Sequence, residues 1–322
     1  MRLAHELVET VATIVDEGTF EAAAQRLHLT PSAVSQRVRR LEDQLGRILL
    51  VRSKPVRPTE AGAAVVRLAR QTALLEHEAL SGLGSAEPDD AAPVRLALAV
   101  NADSLGTWFL APLGRVARRH AVVFELHRDD QDFTAGLLAD GTVTAAVTAQ
   151  GTPVAGCAVT PLGVMRYDAV ATPEFAARWF PEGPTADALA RAPLVDYDRR
   201  DDLQTRWLRA RGADPAAPPR NLVPATSDFA AAVRTGLGWG LLMPPQSRGA
   251  LASGALVSLG GPPVTVPLFW QRWRLRSPLL DAVADEVVAE ARAVLDPVRA
   301  GPRPPRRAGR AAPGAPPASS GS

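Results

Sequence analysis

Between Thr30 and Leu45 the chain reads TPSAVSQRVRRLEDQL, and two incompatible chemistries fall on opposite faces at helical spacing. Val34, Val38, Leu41 and Leu45 recur at i, i+4, i+7 and i+11, an apolar stripe that must pack against something. Ser32, Ser35, Gln36 and Arg39 recur at i, i+3, i+4 and i+7, a stripe of hydrogen-bonding side chains. Those residue types reach base edges and phosphates: Arg pairs bidentately with guanine, Gln with adenine, and Ser with either base or backbone. A helix built this way docks by one side and reads duplex DNA with the other.

The elements around this helix must position it. Thr30 suits the N-cap and Pro31 the first helical position, so the start is sharply marked. Upstream, FEAAAQRLHL predicts a short helix whose Ala22, Ala23 and Ala24 allow close approach. His28, Leu29 and Thr30 form the short turn that a helix-turn-helix needs. Downstream, LLVRSKPVRPT is too proline-rich for a helix and predicts a small β-ribbon, or wing. The candidate DNA contacts are Thr30, Ser32, Ser35, Gln36, Arg37, Arg39 and Arg40 with Arg52, Lys54 and Arg57 on the wing. From Arg26 to Arg57 eight Lys and Arg stand against two Asp and Glu, a local balance of +6, whereas the first 25 residues are acidic. A solvated amphipathic helix with solubilising charge is the alternative. The tight turn, opposed stripes and basic ribbon arriving together favour a reading module.

The whole chain of 322 residues carries a net charge of only +2, so basicity is concentrated rather than spread. That distribution suits a dedicated module better than general DNA coating. The single cysteine, Cys157, excludes an internal disulfide and, without a basic neighbour in PVAGCAVTPL, reads as a packed, inert thiol. MRLAHELVET lacks the apolar run of a signal peptide, and no stretch approaches the ~18 apolar residues of a membrane span. The expected compartment is the cytoplasm. Five histidines show no metal-ligand spacing and no Ser/His/Asp or Cys/His set assembles, so neither a metal, a cofactor nor catalysis is expected. The glycines of GLGWG fit tight entry into a strand better than a phosphate loop.

After the wing, TEAGAAVVRLARQTALLEHEALSGL predicts one long helix. Val65, Leu68, Thr72, Leu75 and Ala79 recur near a 3.5-residue spacing, a seam suited to a second copy, with packing on its own wing domain as the alternative. SAEPDDAAP breaks the pattern as a hinge. From Val94 the rhythm becomes strand then helix, twice over, which predicts parallel sheets with helices on their faces and two lobes around a cleft. Ligands of such sheets sit beyond the carboxyl ends of strands. The Pro-, Gly- and Arg-rich residues from Pro297 predict a disordered tail.

The order of these pieces resembles LysR-type transcriptional regulators over residues 2 to 296. FEAAAQRLHLTPSAVSQRVRRLEDQLG with LLVRSKPVRPTEAG is similar to that family's DNA-binding signature. LALAVNADSLGTW, VRSKPVRPTE, DYDRRDD and FWQRW resemble the ArgP/LysG branch. The resemblance implies an α/β fold: a winged helix-turn-helix (1–58), a dimerisation or linker helix with hinge (59–92), then a two-lobed, periplasmic-binding-protein-like effector domain (93–296). Lobe 1 spans about 93–161 and 268–296, lobe 2 about 162–267, and 297–322 is the tail. It also implies an effector, L-lysine and/or L-arginine, and an activated amino-acid exporter gene.

Such an effector needs donors for its carboxylate and acceptors for two cations. Asn101 and Ser104, where the first strand passes into a helix, are candidates for the carboxylate, as is the Thr148 hydroxyl. Asp103, Asp129, Asp130, Asp198 and Asp228, with Ser227, stand at strand ends or helix starts facing the expected cleft and are candidates for the cations. His127 and Arg128 are basic where relatives lead one to expect neutral or acidic residues, which points to a pocket of altered detail. The expected partners are a double-stranded operator, the effector, a second or further copy of the chain as dimer or tetramer, and RNA polymerase, with no membrane. A solute-binding transport component on the bilobal scaffold, or an effector-independent architectural DNA protein, are the competing readings.

Overall fold

The computed structural model describes residues 2–82, 93–128 and 134–297. Three helices open the chain: α1 (His5–Glu17), α2 (Phe20–Arg26) and α3 (Pro31–Leu45). Leu7, Val11 and Ile14 of α1 lock with Ala23 of α2 and with Val34, Val38 and Leu41 of α3 in one buried cluster. Each of the three α3 side chains contributes roughly 1.5–3 kcal/mol by leaving water. The Thr19 hydroxyl accepts from the Ala22 N–H at 3.1 Å and starts α2. Between α2 and α3, His28 takes a left-handed conformation, φ 54°, which reverses the chain in so short a turn.

The wing consists of β1 (Leu50–Val51) and β2 (Arg57–Pro58), paired antiparallel. It presses on the next helix, α4 (Glu60–Gly82), so closely that a Cβ on Gly62 would lie 1.9 Å from the Leu49 carbonyl oxygen. Only glycine fits there. The expected seam on α4 is divided: Val65 is buried in the reading head's own core, while Leu68, Leu75 and Ala79 are exposed. Leu74, on another side of the helix, joins the core of the following domain. The SAEPDDAAP hinge, apart from Pro93, and the tail from residue 298 lie outside the described residues.

That domain begins with β3 (Val94–Val100), α5 (Ala102–Thr107), α6 (Leu110–Ala117), β4 (Val122–Arg128), α7 (Thr134–Ala139) and β5 (Ala145–Thr148). A long strand, β6 (Cys157–Ala171), leads into α8 (Pro173–Trp179), α9 (Ala186–Arg191), β7 (Leu194–Asp196), α10 (Leu203–Ala210), β8 (Arg220–Leu222) and α11 (Thr226–Arg234). Then come β9 (Gly240–Leu242), α12 (Pro244–Ala252), β10 (Val257–Ser258), the second long strand β11 (Val264–Trp273) and α13 (Pro278–Val294).

The parallel arrangement expected from the strand-helix rhythm holds for β3 with β4 and β5, and for β7 with β8. It does not hold for the rest. One sheet runs β10-β6-β11-β5-β3-β4, with β9 also on β6, and β11 is antiparallel to both β5 and β6. The chain runs out along β6 and returns along β11, and an outgoing and a returning strand laid side by side must run in opposite directions. Their register shifts between Leu268 and Phe269, a bulge of the kind that bends a pair. Trp207, Trp239, Trp270 and Trp273 are fully buried and anchor both sides of this sheet.

Candidate DNA-reading face and effector cavity

Burial of Val34, Val38 and Leu41 turns the opposite side of α3 outward. Ser32, Gln36, Arg39 and Arg40 are exposed, and Ser35 is half-buried at the edge. Thr30 is also exposed, and its hydroxyl accepts from the Ala33 N–H at 3.2 Å, so capping is its local work. Arg37 points elsewhere. Its guanidinium donates to the Thr10 hydroxyl and to Glu6, each at 3.3 Å, pinning α3 to α1. On the wing Lys54 and Arg57 are exposed, while the Arg52 guanidinium lies 5.4 Å from the Phe20 ring centroid. That cation–π contact holds the wing against α2.

In the second domain a cavity of about 360 Å³ opens where β3, β4 and β6 meet the β7–α10 loop and α11. The size lies toward the small end of ligand pockets, roughly 300–1,000 Å³. Asp103, Asp198, Asp201 and Asp202 line it against Arg128 and Arg200. Asp103 is held by two hydroxyls: Tyr167 donates at 2.7 Å to one oxygen and Thr226 at 3.2 Å to the other. Burial pushes the Asp103 carboxyl up against the opposing pull of those bonds, and pushes Tyr167 well above its ordinary range. Asp201 accepts from the Leu203 N–H at 3.0 Å, and burial carries its pKa up to about 7. Asp198 accepts from the N–H groups of Arg200 and Asp201 at 2.7 and 3.1 Å and pairs with the Arg200 guanidinium at 3.6 Å. Asn101 is buried, with an amide oxygen that has no hydrogen-bond partner.

Of the sequence candidates, Asn101, Asp103 and Asp198 meet at this cavity. Ser104 and Thr148 are fully buried but do not line it, because Ser104 faces the interior side of α5 and the Thr148 hydroxyl accepts from the Gln150 N–H at 3.1 Å. Ser227 and Asp228 are exposed on α11 and point away, one and two positions past the residue that faces inward, Thr226. Asp129 and Asp130 lie outside the described residues. Tyr167, Asp201, Thr226 and Gln246 are not among the sequence candidates, and Arg128, noted only for its charge, lines the wall. Among the described residues no group of three or more His, Cys, Asp or Glu could hold a metal ion. Cys157 is buried, which raises its pKa and keeps it a packed thiol.

Helix α4 is bonded to both the reading head and the domain that follows it. Arg70 donates to the Gly141 carbonyl beyond α7 and pairs with Asp16 of α1. Arg67 donates to the carbonyls of Leu138 and Ala155 at 3.3 Å and to that of Ala139. Glu78 accepts from the Ser277 hydroxyl and, at 3.2 Å, from the Leu279 N–H at the start of α13.

The sequence matches the bacterial regulatory helix-turn-helix protein, lysR family, over residues 5–63, and the LysR substrate binding domain over residues 92–292. It is 45% identical over 289 residues to the lysine export transcriptional regulatory protein LysG of Corynebacterium efficiens, covering 89% of this chain and 98% of that one. The crystal structure of ArgP from Mycobacterium tuberculosis superposes with a TM-score of 0.82 at 42% identity, over 92% of this chain and 100% of the other. Full-length LysG from Corynebacterium glutamicum with bound effector Arg does so with a TM-score of 0.75 at 38% identity, again over 92% and 100%. The match at 5–63 accounts for the part of the chain that a solute-binding transport component would leave unexplained. No helix among the described residues is long and apolar enough to cross a membrane. With a helix-turn-helix head, a substrate-binding domain and relatives matched almost end to end, the chain belongs to the LysR family of transcriptional regulators, which are not enzymes.

Proposed function

We propose that this regulator reads a dyad-symmetric operator with the outer face of α3 and senses a free basic amino acid, L-lysine and/or L-arginine, in the cavity at Asp103. One observation carries the effector reading: four carboxylates face two guanidinium groups in a small cavity that also holds the unpartnered Asn101 amide oxygen. A ligand with one carboxylate and two cationic groups matches that balance. Arg128 and the N–H groups starting α11 suit its carboxylate, while Asp103 and Asp201 suit its cations. The relatives support the same chemistry, since one is named for lysine export and another has Arg bound as effector.

The protein works as a dimer or tetramer in the cytoplasm, where the chromosome lies, activates an amino-acid exporter gene and contacts RNA polymerase there. Exposed Leu68 and Leu75 on α4 supply an apolar face for a second copy. Paired reading heads then place half-sites about one helical turn apart, roughly 34 to 36 Å.

Calorimetric titration of the full chain tests the effector. Lysine or arginine gives saturable heat, while norleucine and citrulline, which lack the distal charge, give none. Equal binding of the neutral analogues, or no binding of any of the four, overturns the reading.

A further inference from the structure

We propose that ligand binding at this cavity displaces a proton: of the two carboxyl groups Asp103 and Asp201, one stays protonated until the cation of the ligand arrives. The inference rests on the basic-amino-acid reading above and adds a second signal, pH, to what the cavity senses.

The argument begins with charge pairing. Around the cavity most acids already have a cation: Asp198 pairs with Arg200 at 3.6 Å, Asp196 of β7 with Arg220, and Asp202 with Arg206 at 4.0 Å. Among the described residues neither Asp103 nor Asp201 has an ion pair. Asp103 has neutral donors, the Tyr167 and Thr226 hydroxyls, and Asp201 has the backbone N–H groups of Leu203 and Tyr197. The groups that face them repeat the pattern. Asp103 is approached by Tyr167 from β6 and lies in the field of Tyr197, whose neighbours also include Arg128 of β4. Asp201 lies in the field of Asp196 and of Asp103 itself, both of which oppose its ionisation.

Two partly enclosed carboxylates that repel one another and lack a countercharge do not both ionise readily. Burial accordingly raises both, Asp201 to about 7. An ammonium or guanidinium placed between them favours the charged form, so the O–H bond breaks, the carboxylate keeps the electron pair and the proton passes to solvent. Asn101 contributes a neutral acceptor to the same ligand. Its buried amide oxygen marks the cavity as built for a donor that the chain itself does not supply.

The sign follows from linkage. The free protein binds more protons than the complex, so affinity is full above the free-state pKa and falls as pH drops through it. Between pH 8 and pH 6 the dissociation constant should rise about tenfold for one displaced proton.

Titration of the full chain with arginine at pH 6.5, in phosphate and in MOPS, reads the proton directly, because the two buffers differ in ionisation enthalpy and the ligand keeps its charge in this range. The observed binding heats should differ by an amount equal to between half and one proton released per ligand. Asp201→Asn should bind more weakly, with no buffer dependence and a flat pH profile. Asp103→Asn provides a second variant with the same expected direction. Binding with identical heats in both buffers overturns the proton displacement and leaves the effector reading standing, whereas no binding heat in either buffer overturns both.

Discussion

The Thr226 hydroxyl donates to the Asp103 carboxylate across 3.2 Å, joining the start of α11 to the start of α5. The two helices touch beside that bond, where a Cβ on Gly106 would lie 3.0 Å from the Thr226 methyl. A ligand that engages Asp103 therefore acts on the contact between these two helices. Ligand can shift their arrangement only by its difference in affinity for the two states.

Thr226→Val keeps the shape and removes the donor. A hydrogen bond to a carboxylate is worth about 1.5–3 kcal/mol. Arginine affinity should fall, because the carboxylate loses a donor that favours its charged form, and the melting temperature should fall by a few degrees with it, because the bond is already made in the free protein. Unchanged affinity would remove Thr226 from the site.

Arg39→Ala should weaken binding to the cognate operator by about 1–3 kcal/mol if the guanidinium reads a guanine, with little effect on random duplex. The check is a pair of titrations on operator and random DNA. Equal weakening on both would make Arg39 a phosphate ligand. Arg37→Ala should instead lower thermal stability, because its partners are Glu6 and Thr10.

Neutralising Lys54 and Arg57 together should flatten the salt dependence of operator binding. Every phosphate that the wing no longer neutralises reduces the slope of log K against log salt by about 0.9. An unaltered slope would place the wing off the DNA.

Arg70 touches both working halves of the molecule, Asp16 of the reading head and the Gly141 carbonyl of the effector domain. Arg70→Ala should leave arginine affinity and basal operator affinity nearly intact while reducing the change that arginine causes in the footprint. A full effector response in this variant would show that coupling runs elsewhere.

The reading helix was legible in the sequence because its periodicity records burial directly: Val34, Val38 and Leu41 are the side chains that the core takes. The cavity was only half legible. Asn101, Asp103 and Asp198 follow strands in sequence, so a rule about strand ends finds them. Tyr167 lies inside β6 and reaches Asp103 from 64 residues away, a juxtaposition that the turn of the long antiparallel strands creates and no local spacing encodes. Thr226 and Ser227 are adjacent, and which one faces inward depends on the helical phase, which is fixed by where α11 begins. Helix α12 opens on Pro244 and Pro245, which read locally as breakers although proline suits a first turn. Arg37 shows the limit of a charge pattern, since its spacing on α3 does not reveal that Glu6 is there to meet it.

The most direct measurement is a footprint of the full chain on the DNA upstream of its own gene, with and without lysine or arginine. Protection of two half-sites about one turn apart, altered by at least one of the two amino acids, is the result predicted. No preference for any genomic fragment over random duplex at any ionic strength would contradict it.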